Sequence, residues 1–191
     1  SNHSDISSIG LDGNRLYPRS FRYLLMHKPR DTICSNIDEA YPSIFNYIEV
    51  ERESELHIAG RLDADTTGLV LITDDGRWSF NVIRPTEQCE KVYRVGLRDA
   101  ATQDTVLKFK QGIKLQGEEK LTLPATLDIE NPHHVLLSIT EGKYHQVKRM
   151  FAAVGNRVQS LHREKIGGIN LDVNVGEWRF LCEDEVQLFA N

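Results

Sequence analysis

Residues 60–76 place a charged cluster directly before an apolar run, and this arrangement constrains the fold more than any other part of the chain. The run is Leu69–Ile72, and an Asp-Asp-Gly turn follows it. An apolar run of this length that ends in a tight turn predicts a buried strand. The cluster, which contains Arg61, Asp63 and Asp65, should therefore lie at the end of a strand, where a rigid element holds its side chains.

The charged cluster has two interpretations. Carboxylates held beside a guanidinium at a strand end suit chemistry. The same residues would also occur if Asp63 and Asp65 only capped a loop and Arg61 paired with one of them, because surface ion pairs are common and weak. The local pattern alone favours neither interpretation.

Composition limits the class of protein. The 191 residues are 40% hydrophobic and 27% charged, which is ordinary for a globular protein. The three cysteines, Cys34, Cys89 and Cys182, lie far apart, so neither a disulfide framework nor a zinc site is expected. This cysteine content indicates a reducing, cytoplasmic location. No apolar stretch approaches the roughly 20 residues that span a bilayer, so no membrane partner is expected.

Positive charge is concentrated in one segment of an acidic chain. The formal net charge is −5, yet residues 143–165 hold six lysines and arginines and one glutamate, a net +5, so the remainder carries −10. A basic patch on an acidic body is typical of a protein that binds a polyanion. A solvated basic helix face would give the same pattern.

Hydrophobic periodicity predicts many strands and few helices. Lys91–Leu97 alternates, with Tyr93, Val95 and Leu97 on one face. The chain shows no regular strand–helix–strand alternation, which indicates an α+β fold on a mixed, mainly antiparallel sheet flanked by helices. The other predicted strands are 21–26, 69–72, 113–115, 121–129, 135–140, 158–161, 169–173 and 178–181, and the predicted helices are 45–48, 78–83, 101–111, 145–154 and 183–189.

The predicted helix at 145–154 carries two adjacent basic residues that differ in position. At about 100° per residue, Lys148 lies beside the apolar stripe of the helix and Arg149 lies nearly opposite it. Lys148 is therefore better placed to lean over a sheet, and Arg149 to face solvent or a ligand. The stripe consists of Val147, Met150, Phe151 and Val154.

Three blocks, in order along the chain, resemble the motifs of RNA pseudouridine synthases. Gly60-Arg61-Leu62-Asp63, with Thr67-Gly68-Leu69 after it, resembles the catalytic motif of that family, and Lys91-Val92-Tyr93 resembles the second motif. Residues 141–151, which read Glu-Gly-Lys-Tyr-His-Gln-Val-Lys-Arg-Met-Phe, resemble the third motif. Two shorter matches follow, at 161–163 and 166–168.

The resemblance covers nearly the whole chain from about residue 20, and the third block is similar to the RsuA branch of the family. It implies the pseudouridine synthase catalytic fold for residues 20–191, with a linker or tag remnant at 1–19. Members usually carry a small S4-type RNA-binding domain before the catalytic domain, and this chain is expected to lack one. Where the family usually has Asn-Lys-Pro, the chain has His27-Lys28-Pro29.

The resemblance implies a reaction and a role for each site residue. The reaction is isomerisation to pseudouridine of one uridine, uridine 516 of small-subunit (16S) ribosomal RNA. Asp63 would be the nucleophile, and Lys148 the cation that keeps it ionised, with Arg149 as the alternative for that role. Tyr93 would stack on the target base after the base has flipped into the pocket; judged on periodicity alone, Tyr93 could equally be a core residue.

The implied partner is ribosomal RNA, alone or within a partly assembled small-subunit particle, and the protein is expected to be a monomer. Isomerisation adds and removes no atoms, so neither a cofactor nor a metal is expected. The basic segment should form one wall of an RNA groove beside Asp63. The residues expected to contact RNA are Arg61, Lys143, Arg149, Arg157 and Arg163.

Three alternatives remain. The first is a pseudouridine synthase that acts on large-subunit ribosomal RNA. The second is a glycosidase or nucleosidase that uses Asp63 and Asp65 and releases free base. The third is a non-catalytic RNA-binding module, although binding alone does not require Asp63, Tyr93 and Lys148 together.

Overall fold

The structure is a computed structural model that describes the backbone of residues 9–11, 14–16, 20–86 and 89–190, with side chains from residue 20 onward in those ranges. Strands β1 (Ile9–Leu11) and β2 (Asn14–Leu16) form an antiparallel hairpin in a segment where the sequence predicts irregular chain. The other residues of the predicted linker at 1–19 lie outside the described residues.

A mixed sheet of nine strands organises the chain from residue 23 onward, in the order β11-β3-β5-β9-β6-β8-β7, with β4 paired to β5 and β10 to β9. Four α-helices and two short 3-10 helices, at 44–47 and 53–55, accompany it in the described ranges. The elements are β3 (Tyr23–Lys28), β4 (His57–Ala59), β5 (Thr67–Thr73), α1 (Gly76–Ile83), β6 (Lys91–Leu97), α2 (Gln103–Gln111), β7 (Thr126–Asn131), β8 (His134–Ile139), α3 (Gln146–Ala153), β9 (Val158–Ile166), β10 (Ile169–Asn170), β11 (Trp178–Phe180) and α4 (Glu183–Gln187).

Strand β9 occupies the centre of this sheet. It pairs in parallel with β5 and in antiparallel fashion with β6. Gly68, with a φ of 117°, permits the parallel approach, because a Cβ atom at this position would overlap the backbone of Arg163. The other strand pairs of the described chain are antiparallel, which confirms the predicted α+β class with a mixed, mainly antiparallel sheet.

Both faces of the sheet are covered by apolar packing. Along β5, Val70 and Ile72 belong to one buried cluster, and Leu69 and Leu71 belong to the other, as the two-residue period of a strand requires. Helix α3 packs on the first face through Met150 and Phe151, and α1 and the C-terminal segment pack on the second. The buried run predicted from Leu69–Ile72 is thus a central strand with no exposed face.

Local signals in the sequence explain where two of the helices begin and end. The Asp75 carboxylate accepts hydrogen bonds from the backbone N–H groups of Arg77 and Trp78, so the predicted Asp-Asp-Gly turn also caps α1. Thr102 caps α2 in the same way, and Gly112, with a φ of 97°, ends it.

Several boundaries differ from the prediction. Strand β9 continues to Ile166, five residues beyond its predicted end, through polar residues that an apolar pattern cannot mark as strand. The strand predicted at 113–115 is a single bridge between Lys114 and Leu121, and β7 begins at Thr126 rather than Leu121. The three-residue strand β4 was not predicted, because it is too short to show a period.

Candidate active site

Asp63 lies in the loop between β4 and β5, and buried backbone contacts hold that loop in place. The Lys28 ammonium, fully buried, donates hydrogen bonds to the carbonyl oxygens of Pro29, Ala64 and Thr66 at 3.1, 3.0 and 2.8 Å. The Thr66 N–H group also donates to the Asp63 carbonyl oxygen at 3.0 Å. Burial lowers the pKa of Lys28. The resulting loop presents the Asp63 side chain at the N-terminal end of β5.

Lys148, on α3, reaches across to both carboxylates of the predicted cluster. Its Nζ atom lies 3.4 Å from Asp63 Oδ2, and 2.9 and 3.1 Å from the two Asp65 oxygens. Burial opposes the charge on Lys148, but hydrogen bonding to Asp65 and the charges of both carboxylates outweigh it and raise the pKa of Lys148. The hydrogen bond from Lys148 lowers the pKa of Asp65. One cation therefore serves two anions.

Arg149 faces away from Asp63. Its guanidinium donates to the carbonyl oxygens of Tyr144 and Gln116 at 2.9 and 2.6 Å and lies 3.6 Å from a Glu118 oxygen. These contacts tie α3 to the loop after Leu115. Of the two adjacent basic residues, the structure brings Lys148, not Arg149, to the carboxylate cluster.

His145 is a site residue that the sequence reasoning missed. Its Nε2 atom lies 3.1 Å from Asp63 Oδ2, and its backbone adopts a left-handed conformation, with a φ of 48°, at the start of α3. Non-glycine residues with positive φ are uncommon and cluster at functional sites. The spacing could have identified it, since residues three apart on a helix, here His145 and Lys148, lie on one face.

Tyr144 stacks on the imidazole ring of His145. The ring centroids are 3.9 Å apart with an interplanar angle of 22°. The Tyr144 side chain is 76% exposed, an unusual position for an aromatic ring. An exposed ring stacked beside the Asp63 carboxylate is a platform on which a nucleobase could stack.

Tyr93 and Arg163 form a buried pair below the Asp63 loop. The Arg163 guanidinium donates to Tyr93 Oη at 3.3 Å, to the Leu69 carbonyl oxygen at 3.0 Å and to the Gly60 carbonyl oxygen at 2.7 Å. It thereby connects β6, β5 and the first residue of the GRLD block, Gly60. Tyr93 and Arg163 are 8% and 2% exposed.

The burial of Arg163 corrects the prediction that it contacts RNA. Strand β9 runs between β5 and β6, and the Arg163 side chain is buried on a covered face of the sheet, where it hydrogen-bonds to protein atoms. A guanidinium in that position cannot reach a phosphate. Its role is to support the pocket.

The remaining basic residues do not form the single continuous wall that the sequence predicts. Lys143 lies 3.5 Å from a Glu118 oxygen and 3.9 Å from a Glu141 oxygen, which offset its charge. Arg157 is exposed and lies six residues before Arg163, which at about 3.3 Å per residue is roughly 20 Å along the strand. Arg61 is exposed at the site itself.

One cleft, of about 650 Å³, unites the residues of the three sequence blocks. Asp63 and Lys148 lie on its wall together with Tyr93, so the predicted catalytic residues share one space. Its other charged or aromatic lining residues are Arg61, Lys91, Lys143, Tyr144, His145 and Arg163. In the described part of the chain, no group of three or more His, Cys, Asp and Glu side chains is arranged to hold a metal ion, and no helix is long and apolar enough to cross a membrane.

Comparison with known proteins gives a consistent result. Residues 22–153 match the family model described as RNA pseudouridylate synthase. Ribosomal small subunit pseudouridine synthase A of Vibrio parahaemolyticus is 51% identical over 184 residues, which cover 94% of this chain and 79% of the relative. The protein of the same name from Escherichia coli K12 is 48% identical over 181 residues, covering 93% and 78%.

Solved structures agree. A crystal structure of pseudouridylate synthase matches with a TM-score of 0.84 at 45% identity, over 89% of this chain and 74% of that chain. The archaeal box H/ACA Nop10–Cbf5 complex matches with a TM-score of 0.53 at 16% identity, over 79% and 49%, and supports the fold alone. The resemblance drawn from the three blocks is thereby confirmed, and the chain belongs to the RNA pseudouridylate synthase family.

Proposed function

We propose that this pseudouridine synthase acts on small-subunit ribosomal RNA, where it isomerises uridine 516 with Asp63 as the nucleophile. The observation that carries the proposal is the position of the Asp63 carboxylate, in the same cleft as Tyr93 and within 3.4 Å of Lys148. The names of the relatives that are about 50% identical support the choice of RNA.

The contacts of Asp63 suit a nucleophile. Lys148 and His145 both approach Oδ2, at 3.4 and 3.1 Å, so they can hold the carboxylate in a fixed orientation while Oδ1 attacks. A positioned anion below the ribose acts in the same way in glycoside hydrolysis. No metal or redox group is needed for this chemistry.

The proposed reaction conserves all atoms of the nucleotide. Asp63 forms a bond to C1′ as the C1′–N1 bond breaks, and the electron pair of that bond moves onto the uracil ring. The freed base turns in the cleft, and its C5 atom forms a bond to C1′ as Asp63 leaves. C5 then loses its proton and N1 gains one, which yields pseudouridine.

The cleft is suited to a base that has left its helix. Uracil within structured RNA is inaccessible, so the nucleotide has to flip out, at a cost of a few kcal/mol. Tyr93 provides an aromatic surface inside the cleft, and Tyr144 provides a second one at the entrance that could hold a neighbouring base. Stacking on an aromatic side chain contributes about 1–3 kcal/mol per base, which offsets much of that cost.

The proposed RNA contacts begin at the cleft and use basic side chains that are exposed or half-buried. Arg61 at the cleft, with Lys143 and Arg149 beside it, would position the backbone near the target, and Arg157 would contact RNA farther away. We place the whole catalytic function in residues 20–191. The proposed working form is a cytoplasmic monomer that binds ribosomal RNA, alone or in a partly assembled small-subunit particle.

The decisive experiment uses the purified protein and both ribosomal RNAs, made by transcription so that they carry no modification. Mapping of pseudouridine after incubation should give one modified position, in small-subunit RNA. Modification of large-subunit RNA alone would favour the other branch of the family. Release of free uracil with an abasic site would indicate a nucleosidase, and unchanged RNA that is nevertheless bound would indicate a binding module.

A further inference from the structure

Lys91 carries an ammonium group that is buried without a nitrogen or oxygen atom of the described chain to accept its hydrogen bonds. The residue is 5% exposed, and within residues 20–86 and 89–190 its Nζ is the only buried side-chain nitrogen or oxygen atom that has no partner. Leaving a buried donor unpaired is costly. Native proteins rarely retain such a group, and one that persists calls for a functional explanation.

The position of Lys91 places this unpaired group in the cleft. Lys91 and Tyr93 are two residues apart on β6, so their side chains lie on the same face of the sheet. Both line the cleft that Asp63 also lines. The Lys91 side chain therefore borders the space that a flipped uracil would occupy, with its ammonium buried just beneath the surface.

The surroundings of Lys91 provide no anion to balance its charge in the described part of the chain. The groups that act on its charge there are the Arg163 guanidinium and the Cys89 thiol, whose sulfur offers the ammonium only a weak hydrogen-bond acceptor. The thiol donates its own hydrogen bond to the Val82 carbonyl oxygen at 2.9 Å. Burial, followed by the positive charge of Arg163, lowers the pKa of Lys91. Two cations thus lie together at the floor of the cleft, while the nearby Asp63 is already held by Lys148 and His145.

The reaction itself produces the missing anion. When Asp63 forms its bond to C1′, the electron pair of the C1′–N1 bond leaves with the base, and uracil carries a negative charge shared by N1 and its carbonyl oxygens. We propose that Lys91 Nζ donates a hydrogen bond to this departing uracil anion and, with Arg163 behind it, stabilises the charge while the base turns. This role rests on the proposed attack by Asp63.

A hydrogen bond that forms only when charge develops lowers the barrier without tightening the binding of substrate. Lys91 is too buried to contact a phosphate, so it should contribute little to RNA affinity. Its present lack of a partner destabilises the fold, so replacing it with an apolar side chain of similar length should not unfold the protein. These features separate the proposed role from a structural one.

The test compares Lys91→Met, Lys91→Gln and the surface control Lys110→Met in the full chain, with small-subunit ribosomal RNA as substrate. Three quantities are measured: the single-turnover rate of pseudouridine formation, the Kd for RNA, and the melting temperature. Lys91→Met should lower the rate by about 100-fold or more, as removal of one donor to a developing anion does. Its Kd and melting temperature should stay close to those of Lys110→Met. Lys91→Gln keeps a hydrogen-bond donor but not the charge, so its rate should lie between those of Lys91→Met and wild type.

Two results would overturn the inference. The first is a Lys91→Met rate within about threefold of wild type. The second is a rate loss in both Lys91 variants that is accompanied by the same fall in melting temperature in each. If Lys91→Met fails to fold, Lys91→Gln decides by the same criteria. A wild-type protein that modifies neither ribosomal RNA would overturn the proposed function, and this inference with it. An active wild type with an active Lys91→Met variant would overturn the inference alone.

Discussion

His145 Nε2 lies 3.1 Å from Asp63 Oδ2, closer to that carboxylate oxygen than Lys148 Nζ, which is 3.4 Å away. The shortest contacts to the Asp63 carboxylate therefore fall on one oxygen and come from two residues at the start of α3. Lys148 is shared with Asp65, to which it is nearer. The orientation of the Asp63 carboxylate thus depends on two residues at the start of α3, His145 and Lys148.

Asp63→Asn should abolish isomerisation and leave the fold intact. The substitution preserves volume and removes the nucleophilic charge, so the single-turnover rate should fall by at least about 1,000-fold. Asp65→Asn, the same change two residues away, is the matched control and should retain most of the activity, because Asp65 only shares the Lys148 cation. Near-normal turnover by a folded Asp63→Asn protein would remove Asp63 from the mechanism.

Lys148→Met should reduce the rate strongly, by about 10- to 100-fold, because Asp63 loses the cation 3.4 Å away that holds its carboxylate in position. Arg149→Met, the same change one residue on, should be milder, since Arg149 contacts Glu118 and two carbonyl oxygens rather than Asp63. The rate should be measured between pH 5 and 9 for both variants. If Arg149→Met proves the more damaging change, the assigned roles of the two residues are reversed.

Arg157→Ala should weaken RNA binding and flatten its salt dependence. Arg157 is exposed, and each phosphate contact that is lost should reduce the slope of log affinity against log salt by about one. The measurement is RNA binding across a series of salt concentrations. An unchanged slope would place the RNA surface elsewhere on the protein.

Arg163→Ala should act on stability instead. The substitution leaves the carbonyl oxygens of Gly60 and Leu69 without the guanidinium and removes a buried, hydrogen-bonded side chain, at a cost of roughly 3 kcal/mol or more. The melting temperature should fall on the order of 10 °C. A stable Arg163→Ala protein with a reduced salt slope would restore the role first predicted from the sequence.

Acid should loosen the C-terminal helix through Glu185. Hydrogen bonds from Arg179, at 2.8 Å, lower the pKa of Glu185 from 4.5 to about 2. Because the folded pKa lies below the unfolded one, this stabilisation is complete above about pH 4.5 and is lost as the pH falls towards 2. It should amount to roughly 1 kcal/mol, or about 2–4 °C in melting temperature.

The measurement for Glu185 is the melting temperature from pH 6 to pH 2. Glu185→Gln should melt below wild type at pH 6, and the difference should disappear near pH 2. Asp184→Asn, an exposed acid on the same turn of α4, is the control and should change little. A constant difference between Glu185→Gln and wild type at every pH would rule out an ionic origin.

The sequence predicts the parts of the site that depend on a regular period. Leu69–Ile72 could be assigned to a buried strand from its run length, and Lys148 could be placed beside the apolar stripe of α3 from the helical period. Both predictions use spacing within one element. The count of charges in residues 143–165, in contrast, predicted the same role for Arg157 and Arg163, although Arg157 is exposed and Arg163 is buried.

The prediction for Arg163 failed because its burial is a property of strand order. An arginine in a polar stretch of sequence is ordinarily exposed, and no local pattern shows that β9 runs between β5 and β6. The unpaired state of Lys91 has the same origin. This state depends on which distant elements cover the end of β6. The sequence therefore showed only that Lys91 belongs to the second motif, not that its ammonium is buried.

The central position of β9 also decides when the protein can become active. Asp63 and Tyr93 are synthesised early, but the strand that holds β5 and β6 side by side begins at Val158. A growing polypeptide that has not yet released this strand from the ribosome contains Asp63 without the sheet that holds it beside Tyr93. Activity should therefore begin only after β9 has joined the sheet, and an N-terminal fragment that ends before Val158 should not act on RNA.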